Sequence, residues 1–321
     1  MDLEEQTLHY YLKVFSITLI ILLLFFSLYI FYIFNKKIIL SKDHVNIKKG
    51  ETLENILTKN LYNISIIEIK FIKLYYSIHL FINNSFIHYG DFIINSDSTI
   101  IDLIKTISEP SNLYNKITIV EGWSQTQLDE ELSKFFNNFQ SIPYSEIIAD
   151  TYFIQRNSNF STFMNKLKII KKNYFNDYKN NKLFEEYNKN EIMIIGSLLE
   201  KEGLDAIDKK KISSVIFNRL NKNMKLQIDA TVLFSITNGN YDLNRKLLLS
   251  DLKIDHPFNT YLYTGLPPKP ISYVGKKTLD LIFENHKSDF LFYFFNKSLN
   301  KHIFSKTYKK HKDKLNEYRK E

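Results

Sequence analysis

Cysteine is absent from this 321-residue chain, which removes thiol nucleophiles, disulfides and thiolate metal sites together. A cysteine-free chain tolerates either redox poise, so the compartment stays open on that ground. Histidine offers little more. None of the eight His stands in an HExxH spacing, and His302 and His311 are nine residues apart, which is no standard zinc spacing. No metal or organic cofactor is implied. An RNP motif, zinc-finger spacing and a concentrated Arg stripe are also missing, so the net charge of +8 does not point to nucleic acid. Lysine scattered through nearly every segment instead suits a solvated surface, anionic headgroups or a polyanionic polymer. Glycine is scarce, at eight residues, against heavy use of Asn, Lys, Ile, Phe and Tyr; A+T-rich coding produces such drift. No solenoid repeat is visible.

What the chain does have is length enough for two or more folded units. It also has an uncharged, almost wholly apolar run, Val14 to Phe34. At about 1.5 Å per residue this run can cross a hydrocarbon core of roughly 30 Å. A signal peptide fits less well, because the run exceeds a typical h-region and Phe34-Asn35-Lys36-Lys37 follows in place of a small-x-small cleavage site. The expectation is a retained single-pass anchor, with residues 1–13 as a short cytoplasmic tail and 14–34 as the span. Lys13 is the only Lys or Arg before the span, whereas Lys36, Lys37 and Lys42 follow it, so flanking charge taken literally leaves the large domain in the cytoplasm. That bias weakens for long following segments, which translocate largely regardless of charge.

After the span, VNIKKGETLENILTKN from Val45 predicts a short strand, a turn at Gly50, a cap at Thr52 and an amphipathic helix through Ile56 and Leu57. Tyr89 to Ile94 predicts another strand, and Ser98 onward, with Ile100, Ile101, Leu103 and Ile104, another helix. These compose a small α+β module over 45–108, the two strand-helix pieces being possible halves of one unit. Glu109-Pro110-Ser111-Asn112 marks its boundary. A further strand is expected at Ile117 to Val120, followed by the single Trp123, either a packing anchor or a ligand platform. Asn157 to Asn190 and Lys210 to Leu220 read as helical. Gly265-Leu266-Pro267-Pro268-Lys269-Pro270-Ile271 reads as a rigid loop, because its prolines fix φ and exclude regular structure.

The chemistry concentrates between Ile192 and Thr231. The apolar helical run IMIIGSLL leads into Glu200-Lys201-Glu202-Gly203. At about 100° per residue, Glu202 shares a face with Leu199, Leu198 and Ile195, while Glu200 falls nearer Gly196 and Ser197. A carboxyl held against hydrocarbon keeps its proton to higher pH, the state a general acid needs. Alternatively, Gly203 ends the helix and Glu202 frays into water. Farther on, Gln227, Asp229 and Thr231 alternate with apolar residues. In an extended conformation all three would point to one face, as a sugar-binding edge requires; ordinary turn and cap chemistry is the other reading.

These motifs, taken in order, resemble the endolytic murein transglycosylases, membrane-anchored lytic transglycosylases with a YceG-like domain. The likeness rests on the N-terminal span, the 45–108 segment, Val120-Glu121-Gly122, Asp150-Thr151-Tyr152, Ser197 to Glu202, Asn218-Arg219-Leu220, and Leu226-Gln227 with Asp229 and Thr231. It continues through Asn259-Thr260-Tyr261, Gly265 to Pro268, and His302 with Phe304 and His311. The chain departs from the family pattern at Ala149, at Ser272-Tyr273-Val274 and at His286.

The resemblance implies an α+β architecture with a LysM-like module at 45–108 and a YceG-like catalytic domain at 115–321. Glu202, the second glutamate of the Glu-Lys-Glu triplet, is the implied catalytic acid. Arg219, Gln227, Asp229, Thr231 and Tyr261 are candidates for the glycan groove or its support. The implied reaction cleaves the MurNAc-GlcNAc bond of nascent peptidoglycan and leaves 1,6-anhydro-MurNAc ends, terminating strand elongation. It takes place on the outer, periplasmic side of a bacterial inner membrane, with peptidoglycan synthases as partners. Two other functions compete: a non-catalytic, membrane-tethered peptidoglycan-binding protein, and a hydrolytic muramidase with Asp229 as second carboxylate.

Overall fold

A computed structural model describes residues 3–42, 44–83, 86–95, 97–111, 113–156 and 158–319. Asn112 of the expected boundary, Asn157 at the start of the Lys- and Asn-rich stretch, and the first and last two residues of the chain lie outside them. Helix and strand are mixed throughout, and two compact units form: Met1–Asn115 with Gln155–Asn157, and Lys116–Ile154 with Ser158–Glu321.

The first unit opens with α1 (Leu3–Asn35). Its stretch His9–Asn35 is long and apolar enough to cross a membrane, with a mean hydropathy of 2.7. The last turn of α1 differs from the rest, because Ile33 and Phe34 are buried. Next come β1 (His44–Ile47), α2 (Leu53–Asn60), α3 (Ile66–Asn83), β2 (Gly90–Ile93) and α4 (Ile100–Ile107). Local signals set most of these ends. Gly50 turns the chain at φ +81°, the Thr52 hydroxyl accepts from the Asn55 N–H, and Thr99 with Asp102 forms a capping box. β1 and β2 pair antiparallel with His44 opposite Ile93, so both strand-helix pieces share one core around Val45, Ile56, Leu57, Phe92 and Leu103. The lysines after the span are engaged: Lys36 bonds Glu68 at 3.0 Å and Lys37 bonds Asp97 at 2.9 Å. The sequence gives no clear period over α3, because apolar residues occupy so many of its positions that the helical pattern is blurred.

In the second unit β3 (Tyr114–Thr118) pairs with β4 (Thr151–Gln155). The strand expected at 117–120 therefore starts earlier and ends at Thr118, although the Ile119 N–H still bonds Asp150 O at 3.0 Å. Helices α5 (Gln125–Ser133) and α6 (Phe160–Asp177) close a core with β3 and β4 around Ile117, Leu128, Phe163 and Tyr273; Trp123 packs against this core, partly buried. A second core gathers α7 (Lys189–Glu202), α8 (Ala206–Asn221), α9 (Asp229–Thr237) and α10 (Lys276–Phe283).

Helix α7 is buried without interruption from Ile192 to Leu199. Gly196 lets α10's leader approach, since a Cβ there would lie 2.5 Å from Val274 Cγ1. The departure Ser272-Tyr273-Val274 has a structural role: Tyr273 O accepts from Gly122 N–H at 2.8 Å and Val274 O from Ala149 N–H at 2.7 Å. A hairpin, β5 (Phe292–Asn296) and β6 (Lys301–Ser305), and α11 (Tyr308–Tyr318) complete the unit. In the hairpin Tyr293 stands opposite Phe304 and Phe295 opposite His302.

Candidate active site

Glu202 is the last residue of α7, and the Gly203 N–H closes the helix on Leu199 O at 2.9 Å. The side chain does not fray into water. Its Oε2 accepts a 3.0 Å hydrogen bond from the Tyr293 hydroxyl, and the Ala230 N–H in the first turn of α9 also faces it. Burial pushes the carboxyl above its ordinary value of 4.5, and the nearby Asp229 charge pushes the same way. The Tyr293 hydroxyl, His302 and the Ala230 N–H oppose the shift and are outweighed. The result is a carboxyl that holds its proton into the range where most glutamates have lost it.

Glu200, two residues earlier, has different partners. Its carboxylate, with 2% of the side chain exposed, pairs with the Lys209 ammonium and accepts from the Gly275 N–H at 3.0 Å. Lys209 in turn donates to Thr278 Oγ1 at 3.0 Å. This glutamate and its lysine tie α7, α8 and α10 together.

The segment 227–231 is not extended, and that expectation is corrected. Gln227 adopts a left-handed backbone at φ +53° and Asp229 begins α9, so the three residues do not share a face. Left-handed geometry at a non-glycine residue costs free energy and needs holding in place. Here Gln227 N–H bonds Thr260 O at 3.1 Å, and Ile228 N–H bonds Thr260 Oγ1 at 3.0 Å. Thr231 is fully buried, and its hydroxyl meets Thr260 Oγ1 at 2.9 Å and donates to Ile228 O. Its place is behind the site, holding two loops together, rather than on a groove. Asn259 is buried as well. Its side-chain amide donates to Leu252 O and Ile254 O, and its Oδ1 accepts from the Tyr261 N–H. Tyr261 is thereby aimed so that its hydroxyl bonds Asp229 Oδ1 at 2.6 Å.

Arg219 is 8% exposed, and its Nε and Nη1 donors are spent on the chain itself. Nε reaches Leu291 O at 2.7 Å, while Nη1 reaches Lys225 O, Leu226 O and, at 3.3 Å, Gln227 Oε1. Its guanidinium also lies over the Phe292 ring at 5.2 Å. It therefore holds β5 and the 225–227 turn to α8, and presents Gln227 outward. Of the five groove candidates, Gln227, Asp229 and Tyr261 reach the surface near Glu202, and Arg219 and Thr231 support them from behind.

Sequence reasoning missed Tyr293 and Asp208. His302 Nδ1 stands 2.8 Å from Asp208 Oδ2 with both side chains largely buried, and the His302 ring meets Tyr293 edge-on at 5.4 Å. Two contacts, Tyr293 to Glu202 and His302 to Asp208, thus dock the hairpin over the end of α7 and the start of α8. The aromatic run of β5 signals a strand, but nothing local in it says that the strand returns over a helix some ninety residues earlier.

A cleft of about 250 Å³ opens beside Ala230, with Gln127, Lys201, Phe234, Asn240 and Ile271 among its walls. Its mixture of amide, ammonium, ring and aliphatic groups is the chemistry that holds amphipathic ligands such as sugars. Among the described residues no group of three or more His, Asp or Glu converges as metal ligands do.

Known proteins resemble this chain over part or most of its length. The chain is 37% identical over 145 residues to an endolytic murein transglycosylase of Bacillus subtilis, covering 45% of this chain and 39% of that protein. It is 25% identical over 182 residues to one of Streptococcus pneumoniae, covering 53% of this chain and 33% of that protein. The matched region therefore spans well under half the length of these curated relatives. A solved YceG-like protein of Listeria monocytogenes shares the fold with a TM-score of 0.53 and 23% identity, over 86% of this chain and 99% of that one. Residues 45–317 match the model of the YceG-like family, and the chain belongs to that family.

Proposed function

We propose that this protein is an endolytic lytic transglycosylase of peptidoglycan, with Glu202 as its single acid and base. The observation that carries the reading is the enclosed Glu202 carboxyl, its pKa raised by burial and by the nearby Asp229 charge, next in sequence to Lys201 and facing the N–H of Ala230, two residues that wall a polar cleft. The names of the relatives support the same reaction. Protonated Glu202 donates to the glycosidic oxygen between N-acetylmuramic acid and N-acetylglucosamine as the C1–O bond breaks. The carboxylate so formed takes the proton of the muramoyl 6-hydroxyl as that oxygen closes on C1. Glu202 ends protonated, no water is consumed, and the product is a 1,6-anhydro sugar. Ring closure within one sugar has the high effective molarity of an intramolecular step. Asp229 with Tyr261, and Gln227 held by Arg219, would line the glycan path.

The domain reading follows the same logic. Residues 14–34 form the single-pass anchor, 45–108 a LysM-like glycan-holding module, and 115–321 the catalytic domain, placed on the periplasmic face of the inner membrane, where nascent strands and their synthases meet. The paired β1 and β2 strands with flanking helices support the module.

The test is mass spectrometry of peptidoglycan digested by the detergent-solubilised full chain, beside Glu202→Gln. Anhydromuramoyl products that vanish in the variant, with its melting temperature retained, are the expected outcome. Reducing-end products would mean a muramidase, and products independent of Glu202 would leave only a binding role.

A further inference from the structure

Helix α3 of the first unit has three largely apolar faces and a polar edge. Ile69, Ile72 and Tyr76, each no more than 5% exposed, point into the core of the module. Glu68, Phe71 and Tyr75 face α1: Glu68 bonds Lys36, the Phe71 ring lies 5.6 Å from Phe26 and 6.2 Å from Tyr29, and Tyr75 lies 4.5 Å from Phe34. The third face carries Ile67, Leu74, Ile78 and Ile82, exposed by 61%, 62%, 52% and 71%. Intervals of seven, four and four residues place these four in one stripe, next to the face that holds α1. Lys70, Lys73 and Ser77 form a separate polar edge on the far side of that stripe.

Four large aliphatic side chains in a continuous exposed row are unfavourable in water. Their position shows what covers them. Phe26 and Tyr29 belong to the stretch of α1 that is long enough to span a bilayer. That stretch has 27 residues, about 40 Å at 1.5 Å per residue, roughly 10 Å more than a hydrocarbon core. Even if the whole excess stood above the core on the Asn35 side, Tyr29 would lie at the hydrocarbon edge and Phe26 below it. A helix that touches both cannot stand clear of the lipid. The exposed apolar flank of α1 and the stripe of α3 therefore present one surface to the same solvent.

We propose that α3 is an interfacial membrane helix: it lies in the headgroup boundary beside α1, with Ile67, Leu74, Ile78 and Ile82 in the acyl chains and Lys70 turned to the aqueous side. Such helices bury an apolar face some 5–10 Å into the boundary. The first unit then meets the bilayer through two helices, and the second fixes its rotation about the axis of the first. This inference rests on α1 spanning a bilayer.

The chain's lack of cysteine provides the experiment. Ile78→Cys, Ile82→Cys and Lys70→Cys are made singly in the full chain, labelled with an environment-sensitive fluorophore and reconstituted in phospholipid vesicles. Flotation with the vesicles after alkaline wash reports on α1. Quenching by spin labels on the lipid acyl chains, set against quenching by aqueous iodide, reports on α3. The expected result is a blue-shifted emission at 78 and 82, lipid quenching there several-fold stronger than at 70, and the reverse order for iodide. Chains that float but whose labels at 78 and 82 are quenched by iodide as strongly as at 70 overturn the interfacial helix while leaving the anchor. Labels shielded from both quenchers only at high protein density would place a second copy on the stripe, which overturns it equally. Chains that fail to float remove the anchor on which the inference rests.

Discussion

Glu200 and Glu202 differ in position by two residues and in chemistry by the company they keep. Glu202 has a raised pKa, so its protonated form is favoured by folding. The stability this contributes is complete below the unfolded value of 4.5 and is lost as pH rises through the raised folded value. Melting temperatures of the wild type and Glu202→Gln should therefore diverge in favour of the variant as pH climbs from 4.5, with the gap levelling once Glu202 has ionised; a gap independent of pH would contradict a protonated Glu202. Glu200→Gln has a different signature. It leaves Lys209 half-paired in a buried position, at a cost of about 2–3 kcal/mol, below the ~3–5 of a fully enclosed pair because Thr278 and some water remain. Thermal unfolding should show that loss while the cleavage products stay those of the wild type. The special standing of Glu202 was legible from helical spacing because α7 is long and regular. The role of Asp229 was not, because the backbone reverses hand at Gln227, and a left-handed Gln has no distinctive sequence signal.

At the scale of elements, the β5–β6 hairpin is the piece that completes the site. Its Tyr293 hydroxyl stabilises the charged form of Glu202, so Tyr293→Phe should raise the carboxyl's pKa further. The limb of the pH–rate profile on which the acid loses its proton should move to higher pH, with a lower maximum rate. A limb that stays put or moves down would show that Tyr293 does not bear on Glu202. Elements with local signals were readable: the Gly50 turn, the Thr52 cap, and the paired helices and strands of 45–108 all lie within a few residues of where the sequence put them. The hairpin's docking was not readable. Tyr293 and His302 find Glu202 and Asp208 only through tertiary folding, and no periodicity encodes a contact across ninety residues. Arg219 could be read only as groove or support for a related reason, since an arginine looks the same in sequence whether it binds substrate or its own backbone.

At the scale of the molecule, the long apolar helix α1 and the module behind it share a core. Ile33 and Phe34 at the end of α1 are 1% and 6% exposed, packed with Ile38, Ile69 and Ile72. Ile33→Ala should cost about 2–4 kcal/mol and Phe34→Ala about 3–5 kcal/mol, the range for emptying buried positions. Hydrogen exchange in lipid should localise both losses to the first unit, with amides of α7 unaffected; a uniform loss would argue that Ile33 and Phe34 act elsewhere. The apolar run was plain in the sequence but this sharing was not, because Val14 to Phe34 reads as uniformly lipid-facing when only hydropathy is counted.

Anchor and module have no slack between them, and this bears on how the protein is made. The module cannot finish its core until the last turn of α1 has formed and arrived, so if α1 spans a bilayer as proposed, its insertion and the folding of the first unit are a single cooperative event. A chain whose anchor stalled or was clipped would carry a module with a hole the size of an isoleucine and a phenylalanine. Such a chain would open readily to proteases, and mislocalised copies would be selected for destruction by their own instability.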